Sequence, residues 1–276
     1  PEDEPASPAF LADWFARTKE LVDRFLPDVL WFDFGWHWDE FAPYRPQVAA
    51  YYYNRAHEWG GEPVLQYKEK LPDGVAVLDI ERGKLDDIRP EYWQTDTSVS
   101  YKSWSYIEDD HFRTVTSLVH DLVDIVSKNG NLLLNVGPRA DGVIPDEPAG
   151  LLRGLGKWLA LNGEAIYETR AWTTYGEGPT NAPTVAFKEH ENAPYTPRDV
   201  RFTTSKDGGT LYAICLGWPG ESATIACLGE LAPRIKRVSM LGVEGPLEWS
   251  VSDAGLTIAC PPQAPCEHAV TFKIEF

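Results

Sequence analysis

The stretch SLVHDLVDIVSKNGNLLLNVGP, residues 117–138, contains the two elements that set the fold class. Its first half repeats apolar residues at the helical period, and Asn129-Gly130 is the kind of pair that follows a helix end. Its second half is a continuous apolar run, which is typical of a strand buried on both faces of a parallel sheet. A helix followed directly by such a strand predicts an α/β fold with a parallel sheet.

The same order recurs on the N-terminal side of this stretch. Residues 8–26 are apolar at the helical period, Ser7 is placed as N-cap with Pro8 at the first helical position, and Pro27 ends the helix. The run DVLWFDF, residues 28–34, then predicts a strand buried on both faces. Further helices are predicted in QVAAYYYNRAHEWGG (47–61) and DEPAGLLRGLGKWLALNG (146–163). Further strands are predicted in EPVLQYK (62–68), GVAVLDIERG (74–83) and YWQTDTSVS (92–100). These make about five βα steps, too few for a closed eight-stranded barrel.

From about residue 173 the sequence changes to short alternating runs separated by Gly, Pro and Asp, such as DVRFTTS (199–205) and TLYAICLGW (210–218). Runs of this kind predict a β-sandwich. We therefore expect two domains, residues 1–172 and residues 173–276.

The cysteines all lie in the second of these domains. Cys215 and Cys227 look like buried strand residues, whereas Cys260 and Cys266 flank PPQAP and are compatible with a disulfide or with free thiols. None of them has the CxxC spacing of a zinc site.

Charge and hydropathy exclude several classes of partner. The chain has 25 Lys and Arg against 42 Asp and Glu, which gives a net charge of −17. A polyanion repels nucleic acid and anionic membranes, so we expect neither as a partner. No run of about 20 apolar residues is present to span a bilayer, and PEDEPASPAF at the start lacks the features of a signal peptide.

Ionisable side chains stand at the ends of three predicted strands: Asp33, Lys68 and Glu81. The carboxyl ends of parallel strands meet at one edge, where active sites of this architecture lie. Two carboxylates from different strands can face one reacting centre, as glycosidic bond cleavage requires. Asp33 could instead cap a following helix, and Glu81 could form an ordinary ion pair with Arg82. The spacing alone therefore supports an α/β enzyme with two candidate carboxylates.

A set of longer motifs points to one family. The chain resembles the α-L-fucosidases of glycoside hydrolase family 29 from about residue 10 to residue 172, and more loosely beyond. The segments that carry this resemblance are PDVLWFDFGW (27–36), VLDIERG (77–83), WQTDTSVSYKSWSY (93–106), SKNGNLLLNVGPRADGVIP (127–145) and WLALNGEAIYETRAW (158–172).

The resemblance implies a fold and an activity. The family fold is a (β/α)₈-type, TIM-like barrel followed by an all-β sandwich domain, and this sequence begins at the helix before the fourth barrel strand. We therefore expect a barrel that lacks its N-terminal strands in this sequence and that a second chain or segment completes. Family members are exo-acting retaining hydrolases that release terminal α-L-fucose by double displacement and need no cofactor or metal.

The resemblance also assigns roles to five residues. It implies that Asp33 is the nucleophile and that Glu81 is the acid/base residue. Trp31 matches a tryptophan that lines the fucose pocket, and Lys68 lies where the next strand presents a basic sugar-binding residue. Trp104 matches an aromatic residue beside the C5 methyl of fucose.

Two alternatives remain open from the sequence. One is a non-catalytic carbohydrate-binding protein on the same fold, and the other is a hydrolase of a related sugar, such as an α-L-galactoside. For the main interpretation, the expected partner is a fucosylated oligosaccharide or glycoconjugate. We expect an extracellular or periplasmic location.

Overall fold

The fold is described from a computed structural model. The structure describes residues 5–33, 35–180 and 193–276, so Phe34 of the DVLWFDF run lies outside the described residues. The chain divides into two compact units. Unit 1 consists of Pro1–Ile80 and Glu91–Gln94, and unit 2 consists of Glu81–Pro90 and Thr95–Phe276.

The α/β part alternates helices and strands as the sequence predicts. Its helices are α1 (Pro8–Phe25), α2 (Arg45–Trp59), α3 (Val115–Ser127) and α4 (Asp146–Asn162). Its strands are β1 (Val29–Trp31), β2 (Val64–Tyr67), β3 (Val77–Glu81), β4 (Trp93–Ser98) and β5 (Gly130–Asn135). The five strands form one sheet in the order β1-β2-β3-β4-β5, in which β1, β2 and β3 pair in parallel.

The start of α1 follows the predicted capping pattern. The Ser7 hydroxyl accepts a hydrogen bond from the backbone N–H of Phe10 at 3.2 Å, and Pro8 occupies the first helical position. This satisfies one of the N–H groups that a helix start leaves unpaired. Inside unit 1, Val22 of α1 packs in a buried cluster with residues of α2 and β2, namely Ala49, Tyr52 and Leu65.

The expectation for the first strand was wrong in length and in burial. β1 has three residues rather than seven, and Val29 and Trp31 are 50% and 37% exposed. β1 is the first strand in the sheet order and pairs with β2. Among the described residues β1 pairs with β2 alone, so a continuous apolar run there does not by itself secure burial.

The second half of unit 2 consists of antiparallel sheets. The strands are β6 (Thr169–Glu177), β7 (Val200–Ser205), β8 (Thr210–Cys215), β9 (Ser222–Ile225), β10 (Arg237–Met240), β11 (Trp249–Ser252), β12 (Gly255–Ala259) and β13 (Val270–Glu275). One sheet has the order β10-β13-β8-β7-β6 and the other has the order β11-β12-β9. Both sheets contribute to one buried core, for example Phe202 and Phe272 from the first sheet and Ile258 from the second.

These sheets confirm an all-β part after the α/β part. The proposed division at residue 172 falls within β6 and stays a prediction. Over the described ranges, none of the helices combines the length and the apolar character that a membrane crossing requires.

The cysteines differ in part from expectation. Cys215 is fully buried in β8, as predicted, but Cys227 is exposed in a 3₁₀ segment that follows β9. The strand prediction failed there because the chain leaves the sheet after Ile225. Cys260 and Cys266 are free thiols, and the Cys266 Sγ donates to the Ala269 carbonyl at 3.2 Å.

Candidate active site

Asp33 and Lys68 meet at the carboxyl ends of two adjacent strands. Lys68 directly follows β2, and Asp33 lies two residues beyond β1, with which β2 pairs in parallel. The Lys68 Nζ lies 3.0 Å from the Asp33 Oδ1. The Asp33 side chain is 71% exposed and that of Lys68 is 17% exposed. An ion pair this exposed adds little stability, but it holds a cation beside a carboxylate that remains accessible.

The aromatic residues around Asp33 divide into two groups. Trp31 lies beside the Asp33–Lys68 pair, since the Lys68 Nζ lies 5.5 Å from its ring centroid and the residue is 37% exposed. Phe32 and Trp36 instead stack on each other with centroids 4.2 Å apart, and Trp14 of α1 packs against both rings. The neighbouring rings are therefore mainly core, and Trp31 is available to a ligand.

A buried polar network lies in unit 1 on the same sheet. The Gln94 side-chain amide donates to Asp79 at 3.1 Å, and the Gln66 amide donates to Gln94 at 2.8 Å. Asp79 is 1% exposed and Gln66 is 7% exposed. Neither glutamine was singled out as a site residue from the sequence. The available signal for Gln66 was a polar residue inside the otherwise apolar β2, VLQY. Gln94 stands in the mainly polar β4, WQTDTS, where no such contrast marks it.

Glu81 and Trp104 both lie in unit 2. Glu81 is the last residue of β3 and is partly buried, and Trp104 lies between β4 and α3 with 37% of its surface exposed. Arg82 connects the two, since it follows Glu81 in the chain and its Cζ lies 4.2 Å from the Trp104 ring centroid. The residue that follows Glu81 in the chain therefore contacts the ring of Trp104 directly.

Asn135, at the end of β5, also contacts the Trp104 segment. Its side-chain amide donates to the Trp104 carbonyl at 2.7 Å and to the Ser98 hydroxyl at 3.2 Å. Neither Arg82 nor Asn135 was singled out as a site residue from the sequence. The signal for Asn135 was its position at the end of a run predicted to form a buried strand, the same signal that identified Asp33. The prediction of burial on both faces was wrong for β5, which is only partly buried and leaves Leu133 42% exposed.

Buried ion pairs anchor α3 within unit 2. Asp121 pairs with Lys84 and Arg113 in close contacts, and Asp124 pairs with Lys128 at 2.9 Å and with Arg201 of β7 at 2.7 Å. Burial disfavours the charged forms of both aspartates, but the neighbouring cations outweigh it. They lower the pKa of Asp121 and lower the pKa of Asp124 to about 2. Both carboxylates are therefore ionised at neutral pH.

Two family models match the sequence. The one described as "Alpha-L-fucosidase" matches residues 1–164, and the one described as "Alpha-L-fucosidase C-terminal domain" matches residues 193–275. The resemblance seen in the sequence motifs is thereby confirmed.

Relatives and solved structures agree with these matches. The chain is 29% identical to the tissue alpha-L-fucosidase of Bos taurus, over 96% of this chain and 56% of that protein. It is 30% identical to the plasma alpha-L-fucosidase of Rattus norvegicus, over 98% of this chain and 59% of that protein. The Thermotoga maritima alpha-fucosidase solved in complex with fucose superposes with a TM-score of 0.74 at 27% identity, covering 97% of this chain and 57% of that one.

The chain thus spans somewhat more than half the length of these relatives. The matched part includes the strand ends that carry Asp33, Lys68 and Glu81. The chain belongs to the alpha-L-fucosidase family.

Proposed function

We propose that this protein acts as an exo-acting retaining α-L-fucosidase that releases terminal α-L-fucose from glycans or glycoconjugates. The observation that carries the proposal is the cluster of Asp33, Lys68 and Trp31 at the carboxyl ends of two adjacent parallel strands, inside the part of the chain that the family model matches. An accessible carboxylate with a fixed cation and an exposed ring beside it suits a sugar-binding nucleophile.

The proposed chemistry is double displacement. The Asp33 carboxylate attacks the anomeric carbon of fucose while the bond to the leaving oxygen breaks, and protonated Glu81 donates its proton to that oxygen. A water molecule then attacks the same carbon from the vacated side. Glu81 takes the proton of this water, and the bond to Asp33 breaks to release fucose with its configuration retained. Retention requires the two carboxyl groups to lie about 5–5.5 Å apart when the site is assembled.

Trp31, Lys68 and Trp104 are proposed to bind the sugar. The Lys68 ammonium orients the Asp33 carboxylate and is within reach of sugar hydroxyls near it. The indole of Trp104 offers an apolar face to the C5 methyl group that distinguishes fucose from galactose. Carboxylates and a cation can hydrogen-bond to the hydroxyl groups of a deoxy sugar, and flat rings can pack against its apolar parts.

The architecture proposed for the complete site is a (β/α)₈-type barrel, with residues 1–172 as its C-terminal part and residues 173–276 as a β-sandwich domain. A second chain or segment is proposed to supply the strands that precede β1. We propose an extracellular or periplasmic location, in keeping with a relative named as a plasma enzyme.

Hydrolysis of an aryl α-L-fucoside tests this function. The assay uses the chain within the polypeptide or complex that supplies the remaining strands, as wild type, Asp33→Ala and the control Asp13→Ala, whose carboxylate is exposed on α1. Turnover by wild type and by the control, with loss in Asp33→Ala, is the expected result. Binding of fucose without turnover would instead favour a carbohydrate-binding protein, and faster turnover of the α-L-galactoside would favour a hydrolase of that sugar.

A further inference from the structure

Arg82 has no part in the proposed chemistry, although it lies between two residues that do. It follows Glu81 directly, is 8% exposed, and has a left-handed backbone with φ of 46°. We infer that Arg82 is a positioning residue that holds the Trp104 ring against the C5 methyl of the sugar and so contributes to discrimination between fucosides and galactosides. This inference rests on the proposed function.

The guanidinium fixes the backbone of the segment that leads to Trp104. Its Nη1 donates to the Ser100 carbonyl at 3.0 Å and its Nη2 donates to the Ser103 carbonyl at 3.3 Å. Hydrogen bonds from a charged donor are stronger than neutral ones. The two bonds bridge both ends of a tight turn, which the Ser100 hydroxyl closes from inside by accepting from the N–H of Ser103 at 3.0 Å.

The same guanidinium lies over the Trp104 ring, with its Cζ 4.2 Å from the ring centroid. This distance is within the range of a cation–π interaction, and partial burial of the cation strengthens it. Trp104 is 37% exposed, so part of the residue is open to a ligand. Asn135 holds the Trp104 carbonyl from β5, so the backbone and the ring of Trp104 are held by side chains from different strand ends.

Arginine suits this position better than lysine would. A planar guanidinium can stack on an indole while its edge donates to two carbonyls, whereas an ammonium is a point charge without a flat face. The conservative variant Arg82→Lys therefore keeps the charge next to Glu81 and removes the stacking and the fork of donors. It separates positioning of Trp104 from a simple electrostatic effect.

The first experiment is a double-mutant cycle on substrate discrimination. The measured quantity is the ratio of kcat/KM for the aryl α-L-fucoside to that for the aryl α-L-galactoside, in wild type, Arg82→Lys, Trp104→Ala and the double variant. A single methyl contact is worth roughly tenfold in such a ratio. We expect each single variant to lower the ratio about tenfold, and we expect Arg82→Lys to lower it no further once Trp104 is alanine.

Two controls accompany the cycle. Arg153→Lys, an exposed substitution on α4, should leave the ratio unchanged. The pH profile of kcat/KM should keep its shape in Arg82→Lys, because the charge beside Glu81 is retained. Additive effects in the double variant, or a displaced alkaline limb in the pH profile, where Glu81 loses its proton, would overturn the inference.

A second experiment needs no substrate. The full chain is labelled with 5-fluorotryptophan, and the ¹⁹F resonance of Trp104 is assigned from the spectrum of Trp104→Phe. We expect this resonance to shift or broaden in Arg82→Lys and not in Arg153→Lys, and an unchanged resonance would refute the positioning role. Absence of fucoside turnover in the wild type would refute the proposed function alone, since the spectrum tests the contact independently.

Discussion

Replacing Asp124 with alanine would leave two cations in the interior of unit 2 without the carboxylate that they share. The Lys128 Nζ lies 2.9 Å from one carboxylate oxygen and the Arg201 Nε lies 2.7 Å from the other. The three side chains are 1%, 2% and 0% exposed for Lys128, Arg201 and Asp124 respectively. Water therefore cannot replace the lost partner without local opening of the structure.

The size of the effect follows from this burial. Removing one member of a buried, hydrogen-bonded ion pair costs about 3–5 kcal/mol, because the remaining charge stays desolvated. For a folding unit of this size, each kcal/mol lowers the melting temperature by roughly 2–4 °C. We therefore expect Asp124→Ala to melt roughly 6–20 °C below wild type. Because Arg201 lies in β7, the loss weakens the attachment of α3 to the β-sheet.

Urea unfolding followed by circular dichroism measures the free energy of unfolding. The matched control is Asp13→Ala, which removes an exposed i,i+4 partner of Arg17 and should cost well under 1 kcal/mol. Asp124→Asn is a second variant that keeps the shape and removes the charge, and it should be intermediate. A loss of less than about 1 kcal/mol in Asp124→Ala would refute the reasoning, since it would mean that the cations find water or another partner at little cost.

Three further predictions concern pH, a close backbone contact and the Asp33 ion pair. Burial lowers the pKa of His120 below 6.5. The unfolded state therefore binds more protons, and the stability of the fold decreases as pH drops below about 6.5. Thermal melts should show a smaller acid-induced decrease in melting temperature for His120→Gln than for wild type. A Cβ at Gly137 would lie 2.6 Å from the Tyr106 backbone nitrogen, so Gly137→Ala should displace the segment that carries Trp104 and Tyr106. Steady-state kinetics should show a raised KM, and circular dichroism should show little change in fold. Lys68→Met should reduce kcat/KM about tenfold or more while changing the free energy of unfolding by about 1 kcal/mol or less, because its partner Asp33 is exposed.

Much of the α/β part was predictable because local signals and packing agree there. Ser7 and Pro8 specify the start of α1, and the apolar period of residues 117–127 specifies α3. Asp33 and Lys68 were predictable as neighbours because parallel strands bring their carboxyl ends to one edge. The exposure of β1 was not predictable, because the burial of a strand depends on what packs beside it.

The supporting residues of the site could not be found by pattern alone. Arg82 acts across about 20 residues of chain, through carbonyls whose direction is set by the turn at Ser100–Ser103. Such contacts depend on backbone geometry rather than on residue type, so a sequence motif records the arginine but not its partners. The same holds for the buried pairing of Asp124 with Arg201, which joins residues that are distant in the chain.

Covalent trapping of the nucleophile tests the central claim most directly. A 2-deoxy-2-fluoro-α-L-fucosyl fluoride reacts to form a fucosyl-enzyme that hydrolyses slowly, because the fluorine destabilises the oxocarbenium-like transition state. Peptide mass spectrometry of the trapped protein should find one fluorofucosyl group on the peptide that contains Asp33, and fragmentation should place it on that side chain. A protein that turns over fucosides but carries the label on another residue, or carries none, would contradict the assignment of Asp33 as nucleophile.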